Sequence, residues 1–521
     1  MDPIPTLSTI EGNPPQPLTD APEYNLEDFS FARGPLNQII TAHDKVKQSC
    51  LFNRQLRYSR DIDGTTLRRG GQIRIDEGYY PIRLIDSKIR KEQPPYYNYI
   101  TKSRRSAIFS NVDGTAFPGS DLLEAAFTNT VRFQGWETPF FRWIDGTQAH
   151  GYDILEVVFD PSMPGHFGFE HVGKENLCLP EDAESLQAQE ILARRVNLTA
   201  YQLRQMVKTS GFDSSQVESV IKANPDKQSQ YHLNTVEIYK VMFRKDDVIK
   251  VAWYYRTCTD WLKKPEPLFL GRGDVTKPKQ LSGEMDELGN PIMEYPPIPE
   301  VEYPYVLFRY VESEDPKIHQ LQGRARTDET YQEAATILHS AFVNQSARAA
   351  NMIASPVAMP GNVAPSSAPK QLEAPLKNGS IFDRPMKFDY MPSPPLSNIQ
   401  AINNILQISY QEDSQVNYAA QNREDTEKTA TELLTAREES DKLSSIQVMT
   451  LSIAIREVMS KAWKIYQNRV AQGLITISQQ LIPLFYTQNS PVALGQEGTI
   501  VLAIYSIKSS GDVDVVQKAE H

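Results

Sequence analysis

His166, Glu170 and His171 bring two imidazoles and a carboxylate close together in sequence, residue types that ligate zinc or move protons. No third ligand follows at helical or hairpin spacing, so they read as separate side chains and not as a metal site. Cys50, Cys178 and Cys258 lie far apart with no CxxC pair. That argues against a thiolate zinc centre and fits a reducing compartment. Asp246-Asp247 and Glu438-Glu439 are paired carboxylates of the kind that share acid–base work. The first pair sits between two strand-like runs and reads as a turn; the second reads as a solvated helix face. The chain has no phosphate-cradling GxxxxGK-S/T or GxGxxG loop, no HExxH and no GxSxG. No catalytic, cofactor or metal site is assigned, and the chain reads as a structural protein rather than an enzyme.

Composition narrows the class. With 521 residues, 40 % of them hydrophobic, the chain can bury a large core. Its 54 basic and 65 acidic residues leave a net charge of −11, which disfavours a dedicated phosphate gripper. The same charge suits a wall along which DNA slides without being held. No signal peptide is legible, and no apolar stretch is long enough to cross a membrane.

The elements follow in order. Residues 1–30 hold six prolines and read as an extended or disordered arm. Residues 36–57, after Gly34-Pro35, have a helical apolar face. Residues 66–127 mix short strand-like runs with loops, ending in a short helix near Leu122–Phe127. The run Ile154–Phe159, stopped by Asp160-Pro161, predicts a strand. Residues 181–225 read as helical, with Thr199 as N-cap and Gly211 as a stop. TVEIYKVMF and VIKVAWYY flank Arg244-Lys245-Asp246-Asp247 as a hairpin, and residues 303–310 form a further strand. Residues 230–315 therefore read as a β-rich module inserted between helices. Residues 327–353 predict a helix capped by Thr327 or Asp328. Residues 354–395, with nine prolines, read as a connector. From about Thr426 to Gln472 there is neither proline nor glycine, which predicts a helix ~70 Å long.

Two segments carry a family resemblance. NREDTEKTATELLTAREESDKLSS (422–445) resembles the stretch of tailed-bacteriophage portal proteins, of podovirus and siphovirus type, where a TATE motif opens the long helix behind the tunnel loop. Thr429, Ala430, Thr431 and Glu432 match that motif. DPSMPGHFGFEHVGKENLCLP…ARRVNLTAYQLRQM (160–206) is similar to a second portal pattern, a strand ending in Asp-Pro that leads to a helix opening Leu-Thr. The resemblance covers most of residues 30–475 and implies an α+β portal-type fold. In portal terms the chain divides into an arm (1–30), wing (31–195), stem helix region (196–229), β-rich clip (230–316), stem helix (317–353), second wing part and connector (354–409), tunnel loop (410–425), long helix (426–473) and short C-terminal crown (474–521).

The resemblance also implies a function: a homo-oligomeric ring, usually dodecameric, at one capsid vertex of the virion, assembled in the host cytoplasm. Double-stranded DNA would pass through its channel without sequence reading. The implied partners are the major capsid protein, the large terminase subunit and a head-tail adaptor; no membrane and no cofactor are implied. Gln415, Asn417, Gln421, Asn422 and Arg423 become candidates to face DNA from the tunnel loop. Glu432 reads as structural, since a carboxylate suits the first turn of a helix. Arg244, Lys245 and Lys250 are candidates to meet the motor or adaptor. Arg324, Arg326 and Arg348 could line the channel or, preferably, pair with acids of a neighbouring subunit. A different virion connector or minor capsid protein, and an enzyme whose site carries no motif, are the alternatives; the long helix and the inserted module favour the portal.

Overall fold

The computed structural model describes residues 25–59, 80–102, 120–224, 235–277, 279–285, 291–311, 316–350, 352–356, 386–390, 400, 404 and 430–475. It is a mixed helix-and-sheet protein. The helices are α1 (Phe29–Tyr58), α2 (Leu84–Lys102), α3 (Ser120–Phe133), α4 (Glu137–His150), α5 (Ala200–Thr209), α6 (Ser214–Lys222), α7 (Arg324–Thr327), α8 (Glu329–Ala350) and α9 (Ala430–Ala471). The strands are β1 (Tyr152–Phe159), β2 (Phe167–His171), β3 (Leu177–Cys178), β4 (Ile191–Thr199), β5 (Thr235–Lys245), β6 (Val248–Tyr254), β7 (Lys263–Pro267), β8 (Lys279–Met285), β9 (Pro291–Glu294), β10 (Tyr305–Arg309), β11 (Met352–Pro356) and β12 (Met386–Tyr390).

Two antiparallel sheets face each other between helices. One has the order β10-β1-β2 and the other β3-β4-β5-β6-β7. Alternation along β1 explains the layering, because successive side chains point to opposite faces. Leu155 and Val157 join Phe127, Trp143 and the α9 residues Leu451 to Val470 in one core. Tyr152 and Ile154 join Leu192, Met242 and Ile249 of the other sheet in a second. The outer face of the five-stranded sheet packs on α1, α5 and α6 through Leu36, Ile40, Leu203 and Val217. With both faces covered, β1 is largely apolar, broken only by Asp153 and Glu156, and is buried over its first six residues.

Several expectations need correction. Helix α1 begins at Phe29 with Asp28 as its N-cap, so Pro35 lies inside it. Residues 84–102, read as strand-like runs and loops, form α2, which continues through Pro94-Pro95. The helical reading of 181–199 fails over β4, which pairs with β5 from Ile191↔Phe243 to Thr199↔Thr235. The helix of that region starts only after Thr199, which closes a full capping box with Gln202. The β-rich stretch over 230–315 is not a separate insertion in these sheets: β5 lies beside β4, and β10 returns to pair with β1.

Candidate functional site

The hairpin forms as its sequence requires. Asp246 and Asp247 both take the left-handed conformation, φ 53° and 58°, the geometry of a two-residue turn matched to strand twist. Lys245 Nζ donates to Glu27 Oε2 at 2.6 Å and to Asn25 Oδ1 at 3.2 Å, and Lys250 Nζ donates to the other Glu27 oxygen. The Lys245 and Lys250 hydrogen bonds hold the Glu27 carboxyl below its ordinary value. Arg244 donates to the Gln187 carbonyl at 2.9 Å, its guanidinium 6.0 Å from the Tyr303 ring centre. The three cations expected to meet a partner are thus each bound within the chain, two of them to the segment that leads into α1.

Of the stem arginines, Arg324 departs from the favoured pairing with a neighbour's acid. Arg324 is 9 % exposed and donates to Glu92 at 2.8 Å, so its acid comes from α2 of the same chain and not from a neighbour. Burial forces this: a guanidinium out of water needs its partner at hand. Arg326 pairs with Glu329 at 3.1 Å and lies 4.5 Å from the Phe52 ring centre. Arg348 belongs to α8, and its side chain lies outside the described residues, as do Thr429 and the tunnel-loop candidates Gln415, Asn417, Gln421, Asn422 and Arg423. Ala430, Thr431 and Glu432 form the first turn of α9; their side chains lie outside the described set.

Sequence reading missed a polar cleft of ≈ 310 Å³ between α1, α4 and the residues after β2, lined by Asn53, Arg54, His150, Asp153, His171 and Lys174 among others. Asp153 is buried, and its Oδ2 stands 2.7 Å from His171 Nε2. Burial pushes the Asp153 carboxyl up against the lowering contact of His171. Gly146 makes room for it, since a Cβ there would sit 1.8 Å from Asp153 Oδ2. Lys174 Nζ donates to the carbonyls of His150 (2.7 Å) and Leu321 (3.4 Å) and lies 4.0 Å from the Tyr152 ring centre. Desolvation lowers Lys174 to about 8 and keeps His150 far below the usual imidazole range. Cys50, at the back of the cleft, is pushed up to about 12 by burial, so it remains a thiol. The cleft holds an oriented acid–imidazole pair beside a buried thiol and a desolvated lysine whose amine is tied to two backbone carbonyls. An aspartate inside an apolar strand run was the signal that could have exposed it.

His166, considered with His171 for metal binding, turns elsewhere. Its Nδ1 accepts from Arg469 Nε at 3.1 Å, tying the loop before β2 to the end of α9. Nearby, Asn468 exchanges two hydrogen bonds with the Gly273 backbone, at 2.8 and 3.0 Å. Among the described residues no group of three His, Cys, Asp or Glu is placed to hold a metal ion, and no helix is long and apolar enough to cross a membrane. No family model matches the chain, and no curated protein matches it.

Proposed function

We propose that the chain is a portal subunit, which assembles into a ring at one capsid vertex, conducts double-stranded DNA during packaging and ejection, and offers a docking face to terminase and then to a head-tail adaptor. The observation that carries this reading is helix α9. It runs 42 residues, about 63 Å, beginning at the TATE segment. Its second half is welded into the body by Leu451, Val458, Trp463, Tyr466 and Val470. A globular domain has little use for a helix of that length, whereas a spoke that carries force between a channel loop and an outer wing does. Met449 and Ile453, one turn apart on α9, stay 60 % and 51 % exposed, a face free to meet a neighbouring subunit.

Among the described residues an enzyme reading would draw on the His171–Asp153 cleft, where burial keeps Cys50 a thiol and Lys174 is tied to the His150 and Leu321 carbonyls. The portal reading is tested by sedimentation velocity on the purified chain and on a variant lacking residues 411–424. Both should sediment as a large closed oligomer of the 59.0 kDa subunit, and only the deletion should lose DNA packaging or retention. A monomer at high concentration, or turnover abolished by His171→Ala, would overturn it.

A further inference from the structure

Helix α8, with α7 and Asp328 that lead into it, is attached to the segment before and through α2 by a buried seam built from polar side chains at four-residue spacing. The two chain segments run antiparallel. Ser340 Oγ accepts the Tyr80 N–H at 2.9 Å, Thr336 Oγ1 the Ile82 N–H at 3.2 Å, and Gln332 Oε1 the Ile85 N–H at 3.0 Å. One turn further, Asp328 Oδ2 stands 3.5 Å from Lys88 Nζ. One turn beyond that, Arg324 meets Glu92 at 2.8 Å, and Glu92 also accepts from Tyr310 at 2.7 Å. The stripe 324, 328, 332, 336, 340 therefore faces 92, 88, 85, 82, 80, and Asp328, Gln332, Thr336 and Ser340 are 4 % exposed or less.

The three rungs at Gln332, Thr336 and Ser340 are chemically interchangeable, since each is a side-chain oxygen accepting a backbone N–H. A slide of one turn, a step of ~5.4 Å of the kind that packed helices make, would re-form two of these three bonds in either direction. The charged rungs would not. A slide in one direction sets Asp328 against Glu92; in the other it sets Arg324 against Lys88. Either puts like charges together in a site that excludes water, where the cost is several times that at a surface.

We propose that the Lys88–Asp328 and Arg324–Glu92 pairs are a register lock: their alternating signs exclude the two one-turn-shifted dockings of the α7–α8 segment and leave a single position for the helix that leads into β11. Burial of such pairs is weak evidence for stability, and fixing register is their best-attested use. The proposal does not depend on the portal reading.

Charge order, not charge, is what the test varies. In K88E/D328K the native ion pair is kept with its sign reversed, yet both slides now become attractive. One sets the new lysine at position 328 against Glu92, and the other sets Arg324 against the new glutamate at position 88. The fourfold reversal K88E/E92K/R324E/D328K restores like-charge clashes in both directions. A cysteine at position 80 is combined with one at 335, 339 or 343 and bridged with a short bis-thiol reagent. In the native docking the Tyr80 and His339 rings are 6.4 Å apart. The parent and the fourfold reversal should crosslink 80 to 339 alone. K88E/D328K should gain 80–335 or 80–343 crosslinks at a level comparable with 80–339, or fail to fold. The proposal is overturned if K88E/D328K folds and crosslinks only 80 to 339. It is equally overturned if the fourfold reversal does not fold or does not restore the single crosslink.

Discussion

Replacing Gly323 by alanine places a methyl group where the chain entering α7 crosses the end of α4. The added Cβ would lie 2.4 Å from the Gly151 nitrogen and 2.6 Å from the carbonyl carbon and oxygen of Ala149. All three are backbone atoms, which cannot swing aside as a side chain would. Gly323 itself has φ −101° and ψ 179°, extended backbone that alanine adopts freely. On chain entropy alone Gly323→Ala would stabilise by about 0.4–1 kcal/mol. Overpacking a dense contact costs about 1–3 kcal/mol, and a clash with three backbone atoms of one segment, Ala149–Gly151, belongs at the upper end. The net expectation is a loss of roughly 2 kcal/mol, read as a lower urea midpoint at unchanged slope. The same crossing carries the Lys174 bridge to the His150 and Leu321 carbonyls, so exchange of amides near Leu321 should accelerate with it. A midpoint at or above that of the parent would refute the reasoning, because the entropy gain would then have outweighed the contact.

Three further outcomes are expected. Thr199→Ala breaks the capping box of α5 and should lower stability by about 1 kcal/mol, with Thr199→Asp restoring most of it. Glu27 is held below its ordinary pKa by Lys245 and Lys250, so its contribution is present above the unfolded value and lost as pH falls through the folded one; acid unfolding of Glu27→Gln should therefore lack part of the parent's decline below about pH 4.3. Lys174, depressed to about 8, binds a proton in the unfolded chain that it has lost in the folded one between about pH 8 and 10.4. Across that window the parent should gain stability relative to Lys174→Met, by up to about 1.4 kcal/mol per pH unit; a constant difference between the two curves would contradict this.

What was legible in the sequence is what local chemistry decides. The hairpin turn at Asp246-Asp247, the Thr199 cap, the β1 run and the long proline-free helix each announce themselves within a few residues. What tertiary contact decides was hidden. Pro35 and Pro94-Pro95 argue for breaks, yet α1 and α2 run through them because Leu36, Ile39, Ile85 and Ile89 are buried on one side. Ile191–Thr199 has no strict alternation and became a strand because β5 lies alongside it. The partner of Arg324 is not legible in sequence, because Glu92 is 232 residues away. The Asp153–His171 pair and the α8 seam join residues from distant elements, so no spacing rule points to them. The seam nevertheless leaves a trace, polar residues every fourth position from Asp328 to Ser340 in an otherwise alanine-rich helix.

The central proposal is that this body and its long helix are one subunit of a DNA-conducting ring. Negative-stain electron microscopy of the purified chain tests it most directly. The portal reading predicts closed rings of uniform copy number with a central hole wide enough for duplex DNA. Monomers or open, irregular aggregates at high protein concentration would contradict it.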